Sequence, residues 1–317
     1  MRAAVVGVHV LDTHVVRVES IPERSDGALV DTIRLSPAGT AGGTGVVLAR
    51  LGAQVRSFGA VGTDPAGDAL LAMLGREGVD VAGLVRKADV QTSASVIPVR
   101  PDGERPAWHC IGANGAFTLD DLDRGDDGPL AGCDHLHLGG PEFLGGPVAG
   151  ELLAWARERG LTTSVDVLAP GDADLLAWIV DALPHTGHLL PNDEQVRGFT
   201  GESDLAAGAR ALVAAGAGCV AVTRGAEGAL VVTADEVVEV PAFPLGDGEL
   251  VDTTGCGDAF SAGYLRGLAL GRSRADAARL GCAAAHHVAR GLGTDAGEYD
   301  LDVVLALAGP ASAAASG

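Results

Sequence analysis

Lysine is almost absent from this chain of 317 residues, which contains 21 arginines but only one lysine, Lys87. A P-loop requires a lysine followed by serine or threonine at the end of a glycine-rich run. Lys87 instead stands between Arg86 and Ala88. The sequence therefore excludes a Walker-type nucleotide site.

Positive charge is scarce as a whole. The chain carries 22 basic and 42 acidic side chains, which gives a formal net charge of −20. A surface of this sign repels phosphate backbones, and no clustered basic patch is visible to offset it. We therefore expect no nucleic acid partner.

Long apolar runs are missing too. No stretch of 18 uninterrupted apolar residues is present to span a bilayer. Residues 1–7 run directly into a strand-like pattern, without the apolar segment and small-residue cleavage site of a signal peptide. These features predict a soluble, cytoplasmic protein with no membrane partner.

Cysteines and aromatic residues are both few. The five cysteines form no C-x-x-C pair, and their odd number predicts reduced thiols. The 11 aromatic residues and 47 glycines favour an α/β protein with many tight turns over a β-sandwich with an aromatic core.

Short apolar runs alternate with helical patterns along most of the chain. Apolar spacing at i, i+3 and i+4 predicts helices over 146–159, 205–215 and 259–270. Between such segments, strands are predicted over 2–10, 54–61, 135–138, 162–167, 188–190 and 218–223. This alternation implies a central, mostly parallel sheet.

Two regions break the alternation, near residues 15–35 and 92–111. The second resembles a hairpin around the Asp102-Gly103 turn. We assign both to a small β-lid inserted in one domain that covers residues 1–307. Residues 308–317 are small and polar, and we expect a flexible tail there.

The segment DTTGCGDAF, residues 252–260, places a glycine-rich turn before a helical pattern. Unpaired amides at a helix N-terminus form an anion site that needs no lysine. A carboxylate beside an incoming phosphate, here Asp258, suits a group that accepts a proton from an attacking hydroxyl. The alternative is that Asp258 is an ordinary residue of a first helical turn.

This segment resembles the C-terminal signature of the ribokinase-like (PfkB) sugar kinases, in which alanine usually occupies the position of Cys256. Other matches follow in the family's order from residue 1 to about 305. They are Gly7 with Asp12, LGA at 51–53, VGTDPAG at 61–67, Thr92, DGER at 102–105, GAN at 112–114, PNDE at 191–194 and TRGAEG at 223–228.

The resemblance implies a doubly wound α/β fold with a β-lid that closes over a sugar. It implies that Asp258 is the general base and that the backbone of Gly255, Cys256, Gly257 and Asp258 forms an anion hole for the transferred phosphoryl group. The matching positions that would bind the substrate are Asp12, Gly39, Gly43, Asn114 and Asp258.

The same resemblance implies an ATP site with magnesium. Thr223, Gly225, Gly228 and Asn192 match its nucleotide-binding positions. Glu194 would act on magnesium indirectly.

A monovalent cation is used by several members of the family. Asp252 and Thr254 match the positions that line its site, which implies a potassium ion there.

Three positions depart from the family pattern. Gly43 stands where an asparagine usually contacts the sugar, which removes a polar contact and leaves space for a bulkier substituent. The Asn-x-x-Glu motif ends in Gln195, so Glu194 is the remaining acid. Cys256 at a helix N-terminus is either an apolar filler or a thiol of lowered pKa.

These observations predict ATP-dependent phosphoryl transfer to a primary hydroxyl of a sugar, a sugar acid or a related polyol, and we expect a homodimer formed through the β-lid. A nucleoside kinase and a catalytically silent sugar- or nucleotide-binding relative remain open. Trp108, His109 and Phe117 keep base stacking open. A Rossmann oxidoreductase is disfavoured because Gly255 and Gly257 lack the third glycine of its fingerprint.

Overall fold

The computed structural model describes residues 1–24, 26–100, 105–122, 128, 130–168 and 170–312. The strands are β1 (Arg2–Gly7), β2 (Val10–Val16), β3 (Thr32–Ala38), β4 (Gln54–Gly62), β5 (Val79–Lys87), β6 (Ala94–Val99), β7 (Trp108–Cys110), β8 (His135–Gly139), β9 (Thr162–Asp166), β10 (His188–Leu189), β11 (Val220–Thr223), β12 (Ala229–Val232) and β13 (Val237–Val240). The α-helices are α1 (Gly42–Arg50), α2 (Pro65–Arg76), α3 (Gly146–Glu158), α4 (Ala173–Leu176), α5 (Asp193–Thr200), α6 (Leu205–Ala214), α7 (Cys256–Ala269), α8 (Arg274–Ala289) and α9 (Leu301–Ala308).

Nine strands form one large sheet in the order β13-β12-β11-β10-β9-β8-β1-β4-β5. The pairings from β11 through β5 are parallel, while β12 pairs with both of its neighbours in an antiparallel manner. The chain order reverses around β1, since β4 lies on one side and β8 on the other. Ligands bind at the carboxyl edge of such a reversal in open α/β sheets.

Helices cover both faces of the large sheet, and β1 shows why. Ala3 and Val5 belong to the apolar cluster that includes α1, α7 and α8. Ala4 and Val6, which point the other way, belong to the cluster that includes α3, α5 and α6. A strand that is buried on both faces does not alternate apolar and polar residues, and residues 2–7 show no such alternation. The predicted doubly wound fold is confirmed.

A second sheet, here called the lid sheet, contains β3, β2, β6 and β7 in that order. Its strands extend beyond the predicted regions, because β2 already begins at Val10 and β3 continues to Ala38. The strand predicted over 2–10 therefore divides between the two sheets. Strands β6 and β7 are antiparallel, as a hairpin requires. The predicted Asp102-Gly103 turn lies outside the described residues.

The two faces of the lid sheet differ in chemistry. Register places Ser36, Asp12, Ser95 and His109 in one row across the four strands, here called the inner row. The adjacent row, called the outer row, contains Leu35, Thr13, Val96 and Trp108 and points to the opposite face. Because Asp12 is buried, the inner row faces the large sheet.

The C-terminal segment is anchored further than the composition predicts. Helix α9 ends at Ala308, and Ser312 then donates two hydrogen bonds to the Asp276 carboxylate, from its backbone N at 3.1 Å and from Oγ at 2.9 Å. Residues 313–317 of the predicted tail lie outside the described part of the chain. Within the described residues, every helix is too short or too polar to cross a membrane.

Candidate active site

Three acidic side chains from separate elements meet at the carboxyl edge of the large sheet. Asp258 lies in the first turn of α7, Asp166 ends β9, and Asp12 belongs to the inner row of the lid sheet. The charges of Asp166 and Asp12 both act on Asp258. The fold thus brings together two predicted site residues and one that the sequence analysis missed.

The turn before α7 has the geometry of an anion site. Gly255 caps the helix with φ +81°, and a Cβ there would lie 2.2 Å from Thr294 Oγ1, so only glycine fits. The first amides of the helix have no acceptor within it. A Cβ on Gly257 would meet no atom within 4 Å, so the space before these amides is open.

Asp258 is electrostatically prepared to accept a proton. Burial raises the pKa of its carboxyl well above the usual range, and the charges of Asp166 and Asp12 raise the pKa further. A carboxylate with a raised pKa binds a proton more strongly than a free aspartate does. This is the property that a general base requires near neutral pH.

Asp166 is a buried carboxyl that no sequence motif marked. Its Oδ2 accepts a hydrogen bond of 3.0 Å from Ser261 Oγ on α7. Burial raises the pKa of Asp166 to about 7, although the Ser261 hydrogen bond opposes that rise. Its position at the end of a strand beside β8, at the edge where ligands bind, was the available signal.

Asp12 lies in a polar environment within the lid sheet. Burial raises the pKa of Asp12 to about 6, and a hydrogen bond with Ser95 lowers it. Ser95 Oγ also lies 2.8 Å from His109 Nδ1. The inner row thus presents linked hydroxyl, carboxyl and imidazole groups that suit a ligand rich in hydroxyls.

Asn114 and Gly39 hold the segment that follows β1. Asn114 Oδ1 accepts from the His9 backbone N at 3.1 Å, and Asn114 Nδ2 donates to the His9 carbonyl at 3.0 Å. A Cβ on Gly39 would lie 2.5 Å from the Val8 carbonyl oxygen. Both residues therefore contact backbone beside the site, and their predicted contact with substrate stays a prediction.

Gly43 does not leave the space that its small size suggested. A Cβ at this position would lie 2.2 Å from Asp258 Oδ2, because the carboxylate packs directly against the start of α1. The expectation of extra room for a bulky substituent is wrong on this account. Gly43 instead allows close packing of α1 against Asp258.

The predicted nucleotide residues lie at the same edge of the sheet. Thr223 ends β11 and forms a parallel bridge with Asn192, which begins the segment after β10. A Cβ on Gly225 would meet no atom within 4 Å, whereas one on Gly228 would lie 2.1 Å from the Val240 carbonyl oxygen. The close approach at Gly228 is therefore to the backbone after β13.

Asn192 and Gln195 form a capping box at the start of α5. Asn192 Oδ1 accepts from Gln195 N at 2.7 Å, and Gln195 Oε1 accepts from Asn192 N at 2.9 Å. Gln195 Nε2 also donates to the Val167 carbonyl at 2.9 Å. The side chain at the family's usual acid position is thus buried, neutral and structural, while Glu194 is exposed in the first turn of α5.

Cys256 is a filler and not an activated thiol. Burial raises the pKa of Cys256 to about 12, with Asp252 and Asp258 adding to the rise. Its Sγ lies 3.7 Å from the Ala285 carbonyl oxygen, and its side chain packs against the apolar cluster that includes α7 and α8. The alternative of a lowered pKa is wrong, because burial and, to a smaller degree, the neighbouring carboxyls raise the pKa.

Asp252 and Thr254, the predicted monovalent-cation residues, lie just before the glycine turn. Thr254 donates to Asp252 Oδ1 from its backbone N at 3.0 Å and from Oγ1 at 2.9 Å. Thr254 Oγ1 also accepts a hydrogen bond of 2.8 Å from Arg105 Nη1. The Arg105 side chain, which comes from the lid region, therefore already binds at the position expected for the cation.

The three aromatic-type residues considered for base stacking lie in different places. Trp108 belongs to the outer row and is 54% exposed. Phe117 is buried in the apolar cluster that includes α3 and α5. Only His109 lies in the inner row, so the aromatic wall expected for stacking on a base is not assembled by these residues.

Comparison with known proteins gives a consistent result. Residues 3–300 match the family described as pfkB family carbohydrate kinase. The chain is 31% identical over 236 residues to an uncharacterized sugar kinase of Archaeoglobus fulgidus, and the aligned region covers 74% of this chain and 90% of that protein. It is 27% identical over 290 residues to a nucleoside kinase of Methanothermobacter thermautotrophicus, covering 90% and 89%.

The fold also has close counterparts among solved structures. The structure of Arabidopsis thaliana ribokinase complexed with ribose and ATP superposes with a TM-score of 0.81 at 21% identity. The alignment covers 97% of this chain and 98% of that one. At this identity the likeness shows a common fold.

Asp166→Asn should stabilise the protein, free of ligands, in a pH-dependent way. The pKa of Asp166 is raised in the folded state, so the stability this group contributes is present at low pH and is lost as pH rises through about 7. Asparagine cannot ionise, so it carries no cost for a buried charge at high pH. We expect the gain in unfolding free energy to grow by about 2 kcal/mol between pH 5 and pH 8.

Urea denaturation of the wild type and of Asp166→Asn between pH 5 and pH 8 measures this gain in unfolding free energy. Asp302→Asn, at an exposed position in the first turn of α9, is the matched control and should show no such trend. A difference between Asp166→Asn and the wild type that is constant with pH would contradict the assignment of a raised pKa.

Proposed function

Because this chain belongs to the pfkB family of carbohydrate kinases, we propose that it transfers the γ-phosphoryl group of ATP to a primary hydroxyl of a sugar or sugar acid. One observation carries the proposal. Asp258, with its raised pKa, lies in the same helical turn as the open amides that begin α7. A proton acceptor and an anion hole are thereby held within one rigid element.

The chemistry follows from this placement. Asp258 takes the proton from the substrate hydroxyl as its oxygen attacks the γ-phosphorus. The backbone amides over 255–258 donate hydrogen bonds to the phosphoryl oxygens, whose charge the positive end of the α7 dipole also stabilises. Positioning and electrostatic stabilisation supply most of the catalysis in phosphoryl transfer. The intact Asp258 and its flanking glycines argue against a silent relative.

Magnesium fits as a companion of ATP. Among the described residues, no three His, Cys, Asp or Glu side chains converge to hold a metal ion. Mg²⁺ commonly binds through substrate phosphates, water and one or two carboxylates. Bound in this way it would neutralise charge on the phosphates, and exposed Glu194 in the first turn of α5 is the residue that would reach it through water.

The inner row favours a sugar or sugar acid over a nucleoside. Asp12, Ser95 and His109 offer polar groups for several hydroxyls, and the two larger aromatic residues considered for stacking point elsewhere. A nucleoside kinase is the second candidate, because one close relative bears that name.

A homodimer through the lid sheet completes the proposal. The outer row exposes Leu35, Val96 and Trp108 by 43%, 42% and 54% of their surfaces. Aligned apolar side chains on one face of a sheet commonly mark an interface. A second copy of the same lid sheet offers a matching row.

An ADP-release assay with ribose, fructose, 2-keto-3-deoxygluconate, adenosine and cytidine tests the proposed function. We expect the leading sugar or sugar acid to exceed both nucleosides in kcat/KM by at least about tenfold, or 1.4 kcal/mol of transition-state binding. A nucleoside that leads by this margin would favour the second candidate. No ADP release with any polyol or nucleoside would contradict kinase activity.

Asp258→Asn should lower kcat by about 10² to 10⁴, the range for loss of a general base, with little change in ATP binding. The side chains are similar in size, so the fold should be kept. Asp302→Asn, also in a first helical turn but exposed, should retain wild-type turnover. Near-normal kcat in folded Asp258→Asn would remove this residue from the mechanism.

Val96→Glu should dissociate the dimer, because it places a charge in the middle of the outer row. Light scattering after size exclusion should give the mass of two chains for the wild type and of one chain for the variant. Val237→Glu changes an exposed valine of β13 in the large sheet and should leave the dimer intact. A dimeric Val96→Glu, or a monomeric wild type, would reject this interface.

A further inference from the structure

The Asp252 carboxylate already has partners on both oxygens. Oδ1 accepts the two hydrogen bonds from Thr254, and Arg105 Nε lies 3.8 Å away. Oδ2 accepts from Gly293 N at 3.3 Å and lies 3.6 Å from His14 Nδ1. The Asp252 side chain is fully buried, so these groups surround it.

Two backbone carbonyls near Asp252 already accept hydrogen bonds. The Ala289 carbonyl accepts from Val251 N at 2.9 Å and from Asp252 N at 3.4 Å. The Leu292 carbonyl accepts from Arg34 Nη1, and the same guanidinium lies 2.9 Å from Asp295 Oδ1. A potassium ion is selected by inward-facing oxygens that replace its hydration shell. Here those oxygens face N–H donors.

The side chains that face these oxygens come from the lid. His14 lies on β2, Arg34 on β3, and Arg105 shortly before β7. Arg105 Nη1 donates to Thr254 Oγ1, and Thr254 directly precedes Gly255, which caps α7. Arg105 thus connects the lid to the turn that forms the anion hole. Its charge is placed where a cation would otherwise act on that turn.

We propose that this enzyme needs no monovalent cation, because the Arg105 guanidinium replaces it beside Asp252 and Thr254. The proposal rests on the kinase function proposed above and corrects the expectation of a potassium site. Arg105 is a positioning residue, since it acts on the anion hole through Thr254. Its planar, permanently charged group can contact both residues at once, which a point charge in this place would do less well.

Turnover of the wild type in potassium chloride and in tetramethylammonium chloride at equal ionic strength gives the first test. We expect the two values to agree within about twofold, which corresponds to about 0.4 kcal/mol. Activation by potassium of tenfold or more would overturn the proposal.

Substitution of Arg105 gives the second test. Arg105→Ala should lower kcat by about tenfold, whereas Arg105→Lys, which keeps the charge but loses the planar group, should recover only part of that loss. Arg17→Ala removes a lid arginine that pairs with Asp31 at the surface and should leave turnover unchanged. Unchanged kcat in Arg105→Ala, or a lysine variant as impaired as the alanine variant, would overturn the role of Arg105.

A measurement that does not depend on turnover separates this proposal from the function on which it rests. The melting temperature of the wild type without substrate should be the same in potassium and tetramethylammonium chloride, since no site binds potassium. A potassium-specific rise would overturn the proposal even if no substrate had been found. If the melting temperatures agree but no compound is phosphorylated, the kinase function fails and the cation assignment stands.

Discussion

Burial of three carboxyl groups at one edge of the sheet is the constraint on which the arrangement around α7 depends. Burial raises the pKa of Asp258, Asp166 and Asp12, and the charges of the other two raise the pKa of Asp258 further, so ionised carboxylates in this place are costly without compensation. The fold offsets the cost of these buried charges without using a lysine. The positive end of α7 and the Ser261 hydroxyl lie beside Asp258 and Asp166, and the charge of Arg105 from the lid region lowers the pKa of Asp12. The compensation at this edge of the sheet thus comes from backbone amides, a hydroxyl and an arginine.

Close packing keeps this compensation in place. Asp258 packs against the start of α1 at Gly43, and the turn at Gly255 packs against Thr294. Neither approach leaves room for a Cβ, so Asp258 and the glycine turn are fixed relative to two neighbouring segments. Such positioning matters because an error of about 1 Å in a reacting group can cost roughly 10²-fold in rate.

The sequence predicted the features that local patterns encode. The glycine turn before α7 and the alternation of strands and helices depend on neighbouring residues, so this turn and a mostly parallel sheet could be predicted from local patterns. The doubly wound fold and the role of Asp258 were implied by the family resemblance. Asp166 could not be predicted in this way, because a single aspartate at a strand end has no pattern of its own. The wrong expectation of free space beside Gly43 has a similar cause. What fills the volume beside a glycine is decided by residues distant in sequence, here Asp258.

The lid contributes two separate groups, one from a strand of its sheet and one from the segment before β7. The inner row holds Asp12, while Arg105, shortly before β7, reaches the turn before α7. Because Arg105 comes from the lid region and contacts Thr254 in the turn before α7, the proposed replacement of a cation would link the positive charge beside this turn to the element that also carries Asp12.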